Sequence, residues 1–129
     1  MVSRSSSAAT VNVRYYPGSK ISQADARAAG ESDLRELDRG LRESAMKMGP
    51  TDGFSVLAWS GTRKQVINGV TALVTEYKRS PIKSNGTFVV RLVRIFDATK
   101  SFTLTVSYRE NQELLLRPIS DRIISSLRN

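Results

Sequence analysis

Residues 101–108 read Ser-Phe-Thr-Leu-Thr-Val-Ser-Tyr, so Phe102, Leu104, Val106 and Tyr108 fall on one side of an extended chain and Ser101, Thr103, Thr105 and Ser107 on the other. Successive strand residues point to opposite faces, and this alternation describes an antiparallel sheet with one face packed on a core. Upstream, Asn68-Gly69 separates two β-rich runs, residues 63–67 and 70–79. That dipeptide tolerates positive φ at both central positions of a type I′ turn, which pairs Ile67 with Val70 and sets the register of a hairpin. Residues 87–96 form another long β-rich run, joined to 101–108 by Asp97-Ala98-Thr99-Lys100, and residues 80–86 make a polar loop. Residues 54–60 are apolar and aromatic up to Gly61, and residues 10–16 alternate up to the turn at Pro17-Gly18.

Two segments follow a helical period instead. Leu34, Leu37, Leu41, Ala45 and Met48 recur at spacings of three and four. Ser32 serves as N-cap, Asp33 and Glu36 suit the positive end, Lys47 the negative end, and Gly49-Pro50 the stop. Gly40 inside this helix points to close packing, and Ser22 is placed to cap a short helical turn before it. A second amphipathic helix spans residues 112–127 with the stripe Leu115, Ile119, Ile123 and Leu127, and Pro118 bends it or opens its main part. Strand, helix, four strands in hairpin-like succession and helix is an α+β order. The expectation is a single α+β domain over residues 10–129, mainly antiparallel sheet flanked by two α-helices, after a disordered Ser-rich arm at residues 1–9.

Composition narrows the chemistry. The chain has 129 residues with no His and no Cys. That leaves no imidazole or thiolate metal site, no Cys nucleophile and no Ser-His-Asp triad. Residues 49–53 lack the Lys-Ser/Thr of a phosphate loop, and there is no Asp-rich calcium loop. The expectation is a non-enzyme without metal or cofactor. No apolar run approaches the ~20 residues of a membrane span, and the first ten residues lack the apolar core of a signal peptide. The protein is expected to be cytoplasmic, or exported or periplasmic if an upstream signal has been removed.

The net charge of +8 is concentrated. Residues 62–109 carry nine basic side chains, Arg63, Lys64, Lys78, Arg79, Lys83, Arg91, Arg94, Lys100 and Arg109, against Glu76 and Asp97. Residues 1–24 add Arg4, Arg14 and Lys20, and the two helical regions are near neutral. A surface of this kind meets an acidic protein partner or another anion. Nucleic acid is the lesser reading, because no aromatic signature or recognition helix accompanies the charge. The carboxylates around the first helix stand at ion-pair spacing from Arg35, Arg39 and Arg42. Glu76 is placed to pair with Arg91 or Arg94 across the sheet. Trp59, Glu76 and Tyr77 are the candidates for a small-ligand pocket between sheet and helix, Trp59 having the large apolar face such a pocket uses.

Several segments together resemble the superfamily that joins the photosystem PsbP proteins, the DcrB-type periplasmic lipoproteins and the Mog-type Ran-binding proteins. They are Trp59-Ser60-Gly61, residues 67–72 (Ile-Asn-Gly-Val-Thr-Ala) leading to Glu76-Tyr77, Gly86-Thr87-Phe88, residues 102–108, Arg117-Pro118-Ile119 and residues 123–127 (Ile-Ile-Ser-Ser-Leu). The likeness spans residues 54–128. It implies a PsbP-like α/β/α sandwich and a role in binding, assembly or chaperoning of a larger complex. It carries over no functional residue. The leading expectation is a non-enzymatic binding or assembly module that uses its basic sheet region against a protein or other anionic partner.

Overall fold

Alternation and turn chemistry produce one five-stranded sheet. A computed structural model describes residues 9–17, 21–83, 86–97 and 100–127. The elements are β1 (Ala9–Pro17), α1 (Gln23–Ala28), α2 (Glu31–Asp52), β2 (Phe54–Ile67), β3 (Val70–Pro81), β4 (Phe88–Asp97), β5 (Lys100–Arg109) and, after a 3-10 turn at Glu110–Gln112, α3 (Glu113–Ser125). The result is a single α+β domain with three helices, one more than expected. The addition is the short α1, capped by Ser22 through the hydrogen bond from the Asp25 N–H. The Ser-rich arm lies outside the described residues except for Ala9, whose backbone already pairs with Tyr108.

All neighbouring strands are antiparallel, in the order β1-β5-β4-β3-β2. Asn68 and Gly69 take φ of 49° and 79°, the left-handed pair a type I′ turn demands, and Ile67 faces Val70. β2 runs unbroken past Gly61, which absorbs a register shift at φ 101°. β1 is set apart in sequence by the helices and returns to the far edge beside β5, with Val13 opposite Leu104 and Arg14 opposite Thr103.

One face of the sheet holds the core. Ala72 and Val74 from β3, Val89, Val93 and Ile95 from β4, and Leu104, Val106 and Tyr108 from β5 cluster with Ile124 of α3, while Leu116, Ile123 and Leu127 pack against them. The expected stripe of α3 is therefore rotated: Ser120 and Ile124 are buried, whereas Leu115 and Ile119 are 66% and 39% exposed. The sheet beneath presents Arg91, and the helix turns Ser120 toward it. α3 is continuous through Pro118, and the hydrogen bond that proline cannot make falls on exposed Leu114.

α1 and α2 stand over the opposite face. Gln23 ties α1 down by donating to the Thr71 and Phe96 carbonyls and accepting from the Thr71 N–H. α2 starts one residue before Ser32, with Gly30 as N-cap and the Asp33 carboxylate accepting the Gly30 N–H. It runs past Gly49-Pro50 to Asp52, where Gly53 closes it at φ 89°. The close approach read at Gly40 occurs at Gly49 instead: a Cβ there would lie 2.9 Å from the Phe54 carbonyl oxygen, while one at Gly40 meets nothing within 4 Å.

Candidate functional site

Arg91 and Arg94 stand three residues apart on β4, so they project from opposite faces of the sheet. Arg91, 3% exposed, lies under α3. Its Nη1 donates to Ser120 Oγ at 2.9 Å and Asp121 Oδ1 at 2.6 Å, and its Nε is 3.4 Å from Glu76 Oε1. Glu76 also receives Arg117 Nη2 at 3.0 Å. Arg117 Nη1 reaches Glu113 Oε1 at 2.7 Å, which in turn accepts the Tyr108 hydroxyl at 2.9 Å. Burial and the bond to Glu113 push the Tyr108 phenol up to about 12. Burial alone would raise the Glu113 carboxyl, but Arg117 and Tyr108 outweigh it and leave it lowered. Each charge here has an opposite, and the network clamps α3 to the sheet.

Arg94 has no such company. The register places Leu73, Arg94, Thr103 and Arg14 in one row across β3, β4, β5 and β1, all on the face that α3 does not cover. Arg14 and Arg94 are two strand spacings apart, about 10 Å between backbones, within reach of one shared anion. The Nε atoms of Arg91 and Arg94 are both buried without a hydrogen-bond partner, but Arg94 as a whole is half-buried and no ion pair among the described residues neutralises its guanidinium. Burial lowers its pKa. Arg94, Arg14, Arg79, Tyr16, Thr103 and Thr105 line an open cleft of about 600 Å³. The hydroxyls are the solvent-facing half of the β5 alternation, so the cleft floor is polar. Asp52 also lines it, beside Phe54. The Arg79 guanidinium stacks over Phe54 at 4.8 Å.

Arg94 also borders a second chamber of about 690 Å³ at α1 and α2, as open to solvent as the cleft, whose sheet-side wall includes Leu73. α2 is held over it chiefly by polar anchors to β2. Trp59 Nε1 donates to Asp38 Oδ1 at 2.8 Å, and Thr62 Oγ1 donates to the same oxygen at 2.7 Å. Trp59 stacks on Tyr77 with ring centres 4.9 Å apart. Burial raises the Tyr77 phenol.

The nine basic side chains of residues 62–109 do not make one surface. Arg79 and Arg94 share the cleft, and Arg91 is enclosed on the other side. Lys78 Nζ pairs with Glu110 at 2.6 Å and Lys64 Nζ donates to the Arg27 carbonyl at 2.9 Å. Arg109 and Lys100 lie over the Phe88 and Phe102 rings. Arg63 and Lys83 are exposed on β2 and in the loop after β3. Of the three pocket candidates, Trp59 and Tyr77 come together, while Glu76 is on the opposite face with Arg91. Arg14, Tyr16, Thr103 and Thr105 belong to the cleft and were not among the candidates. Their signal was the alternation of residues 10–16 and 101–108, which assigns each strand a polar face but not a neighbour.

Among the described residues no group of three or more carboxylates is placed to hold a metal ion, and no helix is long and apolar enough to cross a membrane. No protein-family model matches the chain, and no curated protein matches it. Among solved structures it is similar in fold to a crystal structure of PA94 from Pseudomonas aeruginosa, a protein described as being of unknown function. The TM-score is 0.55 at 19% identity, over 93% of this chain and 83% of that one.

Proposed function

We propose that the protein is a non-enzymatic binding module that receives an anionic group, from a small ligand or a partner's surface, in the cleft of Arg14, Arg79 and Arg94. The carrying observation is the contrast on β4: Arg91 has its acids in Glu76 and Asp121, whereas half-buried Arg94 has no acid at ion-pair distance among the described residues, although its Nε is shut off from solvent. A partly desolvated guanidinium lacking an acid costs stability unless something else supplies the negative charge. Tyr16 and the β5 hydroxyls offer further hydrogen bonds to such a group. The α/β/α sandwich of the PsbP, DcrB and Mog-type proteins, with their non-catalytic roles, fits this reading. Nucleic acid finds less support, since the basic side chains divide between two faces and several are already engaged.

The test is thermal unfolding in sodium phosphate against sodium chloride at equal ionic strength. Phosphate is expected to raise Tm of the wild-type protein, by an amount that follows its mass-action occupancy. Arg94→Met is expected to abolish the difference and Arg14→Gln to reduce it. A phosphate effect of the same size in Arg94→Met overturns the assignment.

A further inference from the structure

The helix that covers the cleft face is under-packed. α2 is 22 residues long, yet Leu34, Leu37, Leu41 and Ala45 of its apolar stripe are only half-buried, Met48 is exposed, and Gly49 is its one buried residue. An amphipathic helix of this length ordinarily gains its stability by sinking that stripe into a core. Here the stripe overhangs the 690 Å³ chamber, walled by Leu37 and Leu41 of α2, Ile21 and Ala26 around α1, and Leu73 of the sheet. The volume suits a small organic molecule, and the wall is mostly apolar. Gly40 opens onto it with free space where a side chain would start.

Charge is distributed unevenly around the chamber. At the sheet end stands Arg94, which also belongs to the polar cleft, so the apolar chamber and the cationic cleft meet at one guanidinium. Exposed Asp25 of α1 and Asp33 and Glu36 of α2 line it as well. A ligand filling both spaces therefore needs an apolar body under the helices and one negative group at Arg94, with no second negative charge near the three carboxylates.

From this junction we infer that the ligand is a single-headed amphipathic acid, an alkyl or aryl carboxylate or sulfonate, with its apolar part beneath α2 and its head on Arg94. The inference rests on the anion-site reading above and adds the apolar half of the ligand. Binding lets the stripe of α2 bury the area it now leaves half-covered, so α2 becomes better protected when the chamber is filled.

Isothermal titration with dodecanoate below its micelle concentration is the test. Butanoate and dodecyltrimethylammonium serve as comparison ligands, and the phosphate-dependent Tm rise is measured in parallel. Dodecanoate is expected to bind at least tenfold more tightly than either. Arg94→Gln should weaken it at least tenfold. Gly40→Leu puts a side chain into the chamber while raising helix propensity, so the variant folds, keeps its phosphate response and loses dodecanoate at least tenfold. Equal binding of dodecanoate and butanoate, or undiminished dodecanoate binding in Gly40→Leu, overturns the amphipathic ligand and leaves the anion site standing. Loss of the phosphate effect from the wild-type protein overturns both. Equal binding of the cationic detergent overturns the placement of the head on Arg94.

Discussion

Replacing each β4 arginine by methionine separates a structural cation from a binding one. Arg91→Met removes the charge-assisted bond to buried Ser120, worth roughly 1.5–3 kcal/mol, together with the pair to Asp121. Asp121 is 54% exposed and that pair adds only about 0.5 kcal/mol. Glu76 loses Arg91 but keeps Arg117 at 3.0 Å, so its carboxylate does not become an orphan. The sum is about 3 kcal/mol, at the lower edge of what breaking a buried pair costs. For a domain of this size that is a fall in Tm of roughly 10 °C. Arg94→Met instead removes a half-buried charge that has no acid to lose, and methionine retains most of the stem's packing. The expected change is between zero and about 1 kcal/mol of added stability. Urea unfolding followed by Trp59 emission and far-UV circular dichroism measures both, coincident transitions establishing two-state behaviour. A loss in Arg94→Met as large as that in Arg91→Met would refute the argument, because it would mean that Arg94 is satisfied within the fold.

Three further outcomes follow from the geometry. Gly49→Ala should cost about 1–3 kcal/mol, since its Cβ would meet the Phe54 carbonyl at 2.9 Å, while Gly40→Ala should stabilise by about 0.5–1 kcal/mol; paired thermal melts read both. Asn68 donates to the Ser125 and Leu127 carbonyls besides shaping its turn, so Asn68→Gly keeps the turn but frees the end of α3. Hydrogen exchange should accelerate there while β2 and β3 stay protected, and unchanged exchange in α3 would count against the tether. The Tyr108 phenol is raised to about 12 from 10.0 by burial and by Glu113. The folded state thus holds this proton more tightly than the unfolded one, and the stabilisation is complete below pH 10 and lost as pH rises toward 12. Tyr108→Phe should flatten that part of the stability–pH curve, and an unaltered alkaline slope would contradict it.

The strands were readable because their information is local. Alternation in residues 101–108 and the Asn68-Gly69 turn each specify a face and a register without reference to the rest of the chain. The cleft is not local. Arg14 and Arg94 are 80 positions apart in numbering, and they share a row only because β1 returns to the far side of β5. Nothing in residues 10–16 states which strand they will join. Summing charge over residues 62–109 hid the same fact from another side, since the sum ignores parity, and parity separates Arg91 from Arg94. The stripe of α3 is half legible for a related reason: Ile123 and Leu127 do pack against the core, but where counting apolar positions favours Leu115 and Ile119 the sheet opposite offers Arg91 and selects Ser120. Glu76 reads from the sequence as a partner of Arg91 or Arg94, and the β3–β4 register, which places Arg91 opposite it, decides for Arg91.

Natural sequences keep local preference, packing and charge in mutual agreement, and departures concentrate where function demands them. The α3 face shows that agreement: its core is closed and its cations are matched. The opposite face departs from it twice, through an amphipathic helix that leaves its stripe half-covered and through a half-buried arginine with no acid beside it. Either departure alone would be a minor flaw of packing. They are not independent, because the chamber under α2 and the polar cleft share Arg94 as a common wall. A half-covered apolar surface and a cation lacking an acid, placed side by side, are what the proposed amphipathic acid would complement. A chain selected only for stability would have answered them separately, with a larger residue at Gly40 and a carboxylate on β5 opposite Arg94. It has instead an open glycine at the first place and Thr103 at the second. On the proposed reading both omissions leave room for a ligand at the cost of the free protein's stability, and the two arginines of β4 should then respond differently to the same substitution.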